Sequence, residues 1–182
     1  MQIGIFLANG FEEVEALTTV DLLRRAGITV TMISIHEQRM VTGAHMISVE
    51  ADAVLTEVGD MNFDGLVLPG GMPGTLNLQN HETVCAMVRE YHAKGKMVAA
   101  ICAAPTVFGY LGLLDGKKAT CYPGMEDGLK NAIWCEDPVV TDGNIITSRG
   151  VGTAIDFSAA IIRYLLKDDT DLRVKQQIVY LK

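Results

Sequence analysis

The chain has 182 residues, 49% of them apolar and 20% charged, with a formal net charge of −7. That composition suits a soluble globular chain with a core large enough to need no disulfides or structural metal, and it excludes a disordered one. The acidic balance and scattered bases argue against a nucleic-acid surface, and no apolar run approaches the length of a membrane span.

The elements alternate from the start. Residues 2–8 (QIGIFLA) and 28–35 (ITVTMISI) read as strands around a helix over 11–27, closed by Gly27, which makes a βαβ unit. The stretch before this helix carries acidic residues after a short apolar run and lacks the pattern of a secretion signal, so a cytoplasmic location is expected. Residues 39–55 alternate apolar and polar positions around Thr-Gly, as in a short hairpin. A buried strand resumes over 63–71 and ends in Gly70-Gly71, followed by a helix over 81–95 and a strand over 96–102. Next come a helix over 104–116 with Pro105 in its first turn, a further strand over 117–124 and a hairpin around Asp142-Gly143. A long amphipathic helix over 153–168 and a last helix in the tail complete the pattern. Strands alternating with helices imply a mainly parallel sheet covered on both faces, in one domain over 1–182.

In open sheets of this kind ligands bind at the carboxyl ends of strands. Three such ends stand out, at Ala8-Asn9-Gly10, at LPGGMPG and at Cys102, and they can share one crevice. A thiol between a strand end and a helix start is either a reactive thiolate favoured by the helix terminus or a small buried hydrophobe. Gly70 and Gly71, together with the backbone N–H of Ala103, can form an oxyanion hole beside it. Among the three carboxylates at the head of the first helix, Glu12 and Glu13 are expected on a solvated face. Glu15 lies about 40° from Phe11 on the helical wheel, on the apolar stripe. A carboxyl there must be paired or protonated, which suits acid–base work.

Other chemistries lack their marks. No phosphate-loop or dinucleotide fingerprint is present. All four histidines (His36, His45, His81 and His92) precede Cys102 and read as surface residues, so a cysteine–histidine hydrolase arrangement is hard to build. Cys85 reads as core, while Cys121 and Cys135 read as packing residues or, failing that, resolving thiols. No cysteine pair has metal-ligand spacing, and neither a metal nor a cofactor is expected. Arg149 is a polar group near a strand end.

The segments GFEEVEA, VLPGG, AICAAP and TSRGVGTAIDF, in this order and spacing, resemble the ThiJ/PfpI superfamily, in the branch of the Parkinson-disease-associated protein DJ-one and its bacterial ThiJ/YajL relatives. The resemblance covers nearly the whole chain. It implies a flavodoxin-like three-layer α/β/α sandwich, similar to class I glutamine amidotransferases, that forms homodimers. Cys102 matches the family's reactive cysteine on a strained turn, and Glu15 its protonated glutamate. Gly71 and Ala103 match the backbone donors of the pocket, and Arg25 matches a dimer-contact arginine. The implied activities are a glutathione-independent glyoxalase or protein deglycase acting on a small aldehyde or a glycated substrate, or a peroxide-responsive redox sensor with chaperone-like behaviour. Two departures matter. Ala103 stands where the peptidase branch has histidine after its nucleophile, which disfavours a protease. Tyr122 stands where the branch commonly has histidine before proline, and a phenol with an ordinary pKa near ~10 is a poor base at neutral pH.

Overall fold

A computed structural model describes residues 1–59 and 61–180. Its elements follow in chain order as β1 (Gln2–Leu7), α1 (Glu13–Arg25), β2 (Thr29–Ser34), β3 (Met40–Thr42), β4 (Ser48–Glu50), β5 (Ala53–Val54), β6 (Gly65–Leu68), α2 (Gly74–Gln79), α3 (Glu82–Ala93) and β7 (Met97–Ile101). The second half contains α4 (Pro105–Tyr110), β8 (Lys118–Ala119), β9 (Ile133–Trp134), β10 (Val139–Asp142), β11 (Ile145–Ser148), α5 (Ala154–Leu166) and α6 (Thr170–Gln177).

Seven strands form the central sheet in the order β10-β11-β7-β6-β1-β2-β5, and every neighbouring pair is parallel except the β10–β11 hairpin at one edge. Alternation within the strands supplies two cores. Ile3, Ile5 and Leu7 of β1 face one side with Val67, Ala99 and Ile101, packing against Ala16, Val20 and Leu23 of α1, Phe157 and Ile161 of α5 and Val174 of α6. Phe6, Leu66, Leu68, Val98 and Ala100 face the other side, against Leu78 of α2, Val84 and Val88 of α3 and Phe108 of α4. The central strands read as continuous apolar runs because both faces are covered. This is the three-layer, flavodoxin-like α/β architecture expected from the sequence.

Two expectations differ in detail, and one helix was not foreseen. The strand expected over 117–124 is only β8, which pairs with β9 in a separate two-stranded ribbon. Thr120 there donates its N–H to the Thr147 hydroxyl and Tyr122 donates to the carbonyl of Cys102, so these backbone groups leave the ladder for tertiary partners. The helix expected over 104–116 runs only from Pro105 to Tyr110, ahead of a turn at Gly112 with φ of 72°. The short α2 follows the Gly70-Gly71 loop unannounced by any long apolar period. The hairpin expected around Thr-Gly is present as β3 and β4. The tail helix is α6, and residues 181–182 of the expected segment lie outside the described residues.

Candidate active site

The three strand ends singled out in the sequence meet at the carboxyl ends of the adjacent central strands β1, β6 and β7. Gly10 donates its N–H to Thr42 O at 2.8 Å, Asn77 Nδ2 donates to Asn9 O at 2.8 Å, and Glu12 N donates to Gly70 O at 2.9 Å. These bonds stitch the β1–α1 turn to β3, to α2 and to the loop after β6. Glycine is required at two points of that loop. A Cβ on Gly70 would come within 2.5 Å of Cys102 Cβ and 2.7 Å of Glu15 Oε2, and Gly71, at φ +89°, passes so close to Glu12 N that a Cβ would sit at 2.3 Å.

Cys102 follows β7 directly and has φ of 64°, in the left-handed region. For a non-glycine residue this conformation costs about 1–2 kcal/mol, and it turns the side chain out of the strand direction. Two bonds hold it there. Its N–H donates to Ser148 O at 2.9 Å, and its carbonyl accepts from Tyr122 N at 2.8 Å. The sulfur is half-buried, and the backbone N–H groups of Ala103 and Gly71 beside it favour its charged form.

Glu15 projects from the first turn of α1 into the same place and is fully buried. Its Oε2 accepts from Gly70 N at 3.0 Å. Oε1 is buried without an aligned hydrogen bond, and the side chain with which the carboxyl interacts most strongly is Cys102. Burial pushes the Glu15 carboxyl up to about 7, against the opposing pull of Cys102 and the Gly70 N–H. Burial and the neighbouring Glu15 charge push the Cys102 thiol up to about 12, while the Ala103 and Gly71 N–H groups pull it down. The site therefore tolerates one negative charge far better than two. Here the helix-start argument is corrected. Cys102 lies outside the six-residue α4, whose first helical residue is Pro105, so the backbone donors beside its sulfur are the Ala103 and Gly71 N–H groups rather than a helix terminus.

Above the pair opens a cavity of about 940 Å³ lined by Glu15, Cys102, Tyr122 and Arg149 among others. Tyr122 is half exposed on its wall. Arg149 donates to Glu136 O at 3.0 Å. Arg25 lies on the last turn of α1, outside the cavity lining, and pairs with Asp21 at 2.6 Å.

The solvated-face expectation for Glu12 and Glu13 fails: they are 9% and 2% exposed. The β3–β4 hairpin folds over the head of α1. Glu13 Oε1 accepts from His45 N at 2.7 Å and from Ile47 N at 3.4 Å, and its Oε2 lies 2.9 Å from His45 Nδ1. His45 is an exposed residue that lines the cavity, and it joins the site only through this fold-over. The other histidines are half-buried rather than on the surface. His36 Nε2 accepts from Asn9 N at 3.0 Å, and the Nδ1 atoms of His81 and His92 are buried. Cys85 is core. All four cysteines are free, with the Cys121 thiol pushed up to about 11 by burial first and then by Glu126. Among the described residues the one cluster able to hold a metal ion is Glu12, Glu13 and His45.

Comparison with known proteins decides the family: the DJ-1/PfpI profile matches residues 1–164. The chain belongs to the DJ-1/PfpI family. Protein dj-1beta of Drosophila melanogaster is 40% identical over 163 residues, covering 88% of this chain and 87% of that protein. A protein named a deglycase, from Pyrococcus horikoshii, is 38% identical over 82% of this chain and 90% of its own length. Protein DJ-1 homolog B of Arabidopsis thaliana is 42% identical over 95% of this chain, yet the chain spans only 40% of that relative and 41% of homolog A. Among solved structures, oxidized DJ-1 of Toxoplasma gondii superposes with a TM-score of 0.95 at 32% identity, covering 100% of this chain and 99% of that one. A DJ-1 superfamily protein of Salmonella typhimurium superposes at 0.94 with 36% identity, covering 100% and 98%. In this DJ-1/PfpI chain no helix among the described residues is long and apolar enough to cross a membrane.

Proposed function

We propose that this DJ-1/PfpI protein is a cysteine-dependent, cofactor-independent enzyme acting on small 2-oxoaldehydes or their early adducts with amines. The observation that carries this reading is the Glu15–Cys102 pair, one carboxyl raised to about 7 beside one thiol, at the base of an open cavity of about 940 Å³. A carboxyl with a pKa near neutrality gives and takes protons at physiological pH.

As sulfur bonds to the aldehyde carbon, the Glu15 carboxylate takes the thiol proton and passes it to the carbonyl oxygen, giving a hemithioacetal. Glu15 then removes the proton from the former aldehyde carbon to give an enediolate and returns one to the adjacent carbon, while the hydroxyl proton moves to the neighbouring oxygen. The product of this shift is a thioester of a 2-hydroxy acid. Water cleaves the thioester, releasing the hydroxy acid and restoring the thiol. The sum is oxoaldehyde plus water to hydroxy acid, with no external oxidant or reductant. The Gly71 and Ala103 N–H groups hold the anionic sulfur as it leaves. No step uses histidine, and Tyr122 is placed as a wall and hydrogen-bond donor rather than a base.

Consumption of methylglyoxal with formation of lactate tests the reading. Wild type should turn over, and Cys102→Ser and Glu15→Gln should not. Unchanged activity in either variant removes that residue from the mechanism. Arg25, exposed on α1, is the proposed contact in a homodimer, and Arg25→Glu should shift sedimentation toward monomer.

One observation favours a second reading. The same N–H donors and Glu15 could stabilise an oxidised sulfur: one peroxide converts the thiol to sulfenic acid and water, and a second gives sulfinic acid and water. Mass spectrometry after peroxide titration should then find Cys102 modified ahead of Cys85, Cys121 and Cys135, in a protein that lacks turnover.

A further inference from the structure

Apart from the Glu15–Cys102 pair, the head of α1 carries a second cluster that the proposed chemistry does not use. Glu12 Oε2 and Glu13 Oε2 lie 3.4 Å and 2.9 Å from His45 Nδ1, and all three atoms fall within 4.8 Å of one another. We propose that Glu12, Glu13 and His45 form a site for a divalent transition cation of the zinc class, clamping the β3–β4 hairpin to the start of α1.

The spacing fits a first coordination shell. Ligand bonds of about 2.1 Å place neighbouring ligand atoms about 3.0 Å apart in octahedral and about 3.4 Å apart in tetrahedral geometry. The separations of 2.9 and 3.4 Å from His45 Nδ1 fall in this range, and the two carboxylate oxygens lie within 4.8 Å of each other, so one cation can draw on all three atoms.

The frame is also built to present these atoms. Glu13 is 2% exposed, and its Oε1 is held by the N–H groups of His45 and Ile47, which leaves Oε2 directed at the imidazole. Gly43 closes against this carboxylate so tightly that a Cβ would sit 2.2 Å from it, and only glycine leaves the space the carboxylate fills. Ala44 N donates to Phe11 O at 2.8 Å, which pins the turn to α1 independently of the side chains. Neither Glu12 nor Glu13 has a lysine or arginine partner among the described residues, so two nearly buried carboxylates share one exposed imidazole as their counter-group. A divalent cation would neutralise both. One imidazole nitrogen and two carboxylates favour a borderline transition cation over magnesium or calcium. Three protein ligands at the cavity mouth leave an open position for water.

The test uses the full chain, freed of metal with EDTA and titrated with Co²⁺ as a spectroscopic probe and Zn²⁺ by calorimetry. One Co²⁺ should bind per chain, giving visible ligand-field bands without a near-ultraviolet thiolate band, and should raise the thermal midpoint. Cys102→Ser should bind equally well. His45→Gln, at an exposed position that still reaches Glu13, should fold with a somewhat lower metal-free midpoint, because the two carboxylates lose their counter-group, and should lose at least about tenfold in metal affinity, the size of effect seen on disturbing metal-site partners. A thiolate band, loss of binding in Cys102→Ser, full binding in His45→Gln, or no binding at millimolar metal would each overturn the assignment. These readouts do not depend on turnover, so the site stands or falls separately from the reaction at Cys102.

Discussion

Burying Glu15 makes stability depend on pH in a direction opposite to that of an ordinary paired carboxylate, and Glu15→Gln isolates the effect. Its pKa rises from 4.5 to about 7 in the folded protein because burial disfavours the charge. A raised folded pKa contributes stability that is complete below 4.5 and is lost as pH rises through 7. At about 1.4 kcal/mol per pH unit, the loss across this window amounts to about 3 kcal/mol. Glutamine is nearly isosteric, can accept from Gly70 N as Glu15 Oε2 does, and cannot ionise. Urea unfolding of wild type and Glu15→Gln at pH 5 and pH 8, in EDTA, reads the difference while the other titrating groups cancel. The variant should gain on wild type by about 2.5 kcal/mol between the two pH values. A difference that stays within about 1 kcal/mol across the window would mean that Glu15 ionises as freely in the fold as in water, and the acid–base role assigned to it would fall with it.

The same coupling predicts that Glu15→Gln speeds alkylation of Cys102 by iodoacetamide at pH 7.5 while abolishing turnover, since the neighbouring carboxylate is one of the groups that raise the thiol. Slower alkylation would contradict that electrostatic account. Cys102→Gly should be more stable than Cys102→Ala by about 1 kcal/mol in urea, because only glycine occupies φ of 64° without strain; equal stabilities would show that the turn carries no strain. Gly70→Ala should lose turnover and cost about 1–3 kcal/mol, since its Cβ would collide with Cys102 and Glu15. Normal activity in that variant would place the pair farther apart than the structure has them.

The parts of this protein legible in its sequence are those governed by periodicity and turn chemistry. The apolar runs QIGIFLA and KMVAAIC are strands buried on both faces, and the Asp142-Gly143 turn closes the β10–β11 hairpin. The helical wheel placed Glu15 on the apolar stripe of α1, where it is fully buried. The same wheel left Glu12 and Glu13 in solvent, because it sees one helix and not the hairpin that covers its first turn. His45 is 32 positions from Glu13, and no local pattern announces a contact at that separation. The surroundings of Cys102 escaped the sequence for a related reason: a helix start is a local signal, whereas the Gly71 N–H, the burial and the Glu15 carboxyl that act on the thiol are brought to it by the loop after β6 and by α1.

Alternating strands and helices, and the order of the motifs along them, determined the layered parallel sheet and the strand ends at which a site would form, because repeating side-chain periods encode which faces are buried. Only the tertiary structure decided which charges meet, how deeply they are buried and hence where their protons lie, because those quantities depend on the distance and desolvation of groups far apart in the chain.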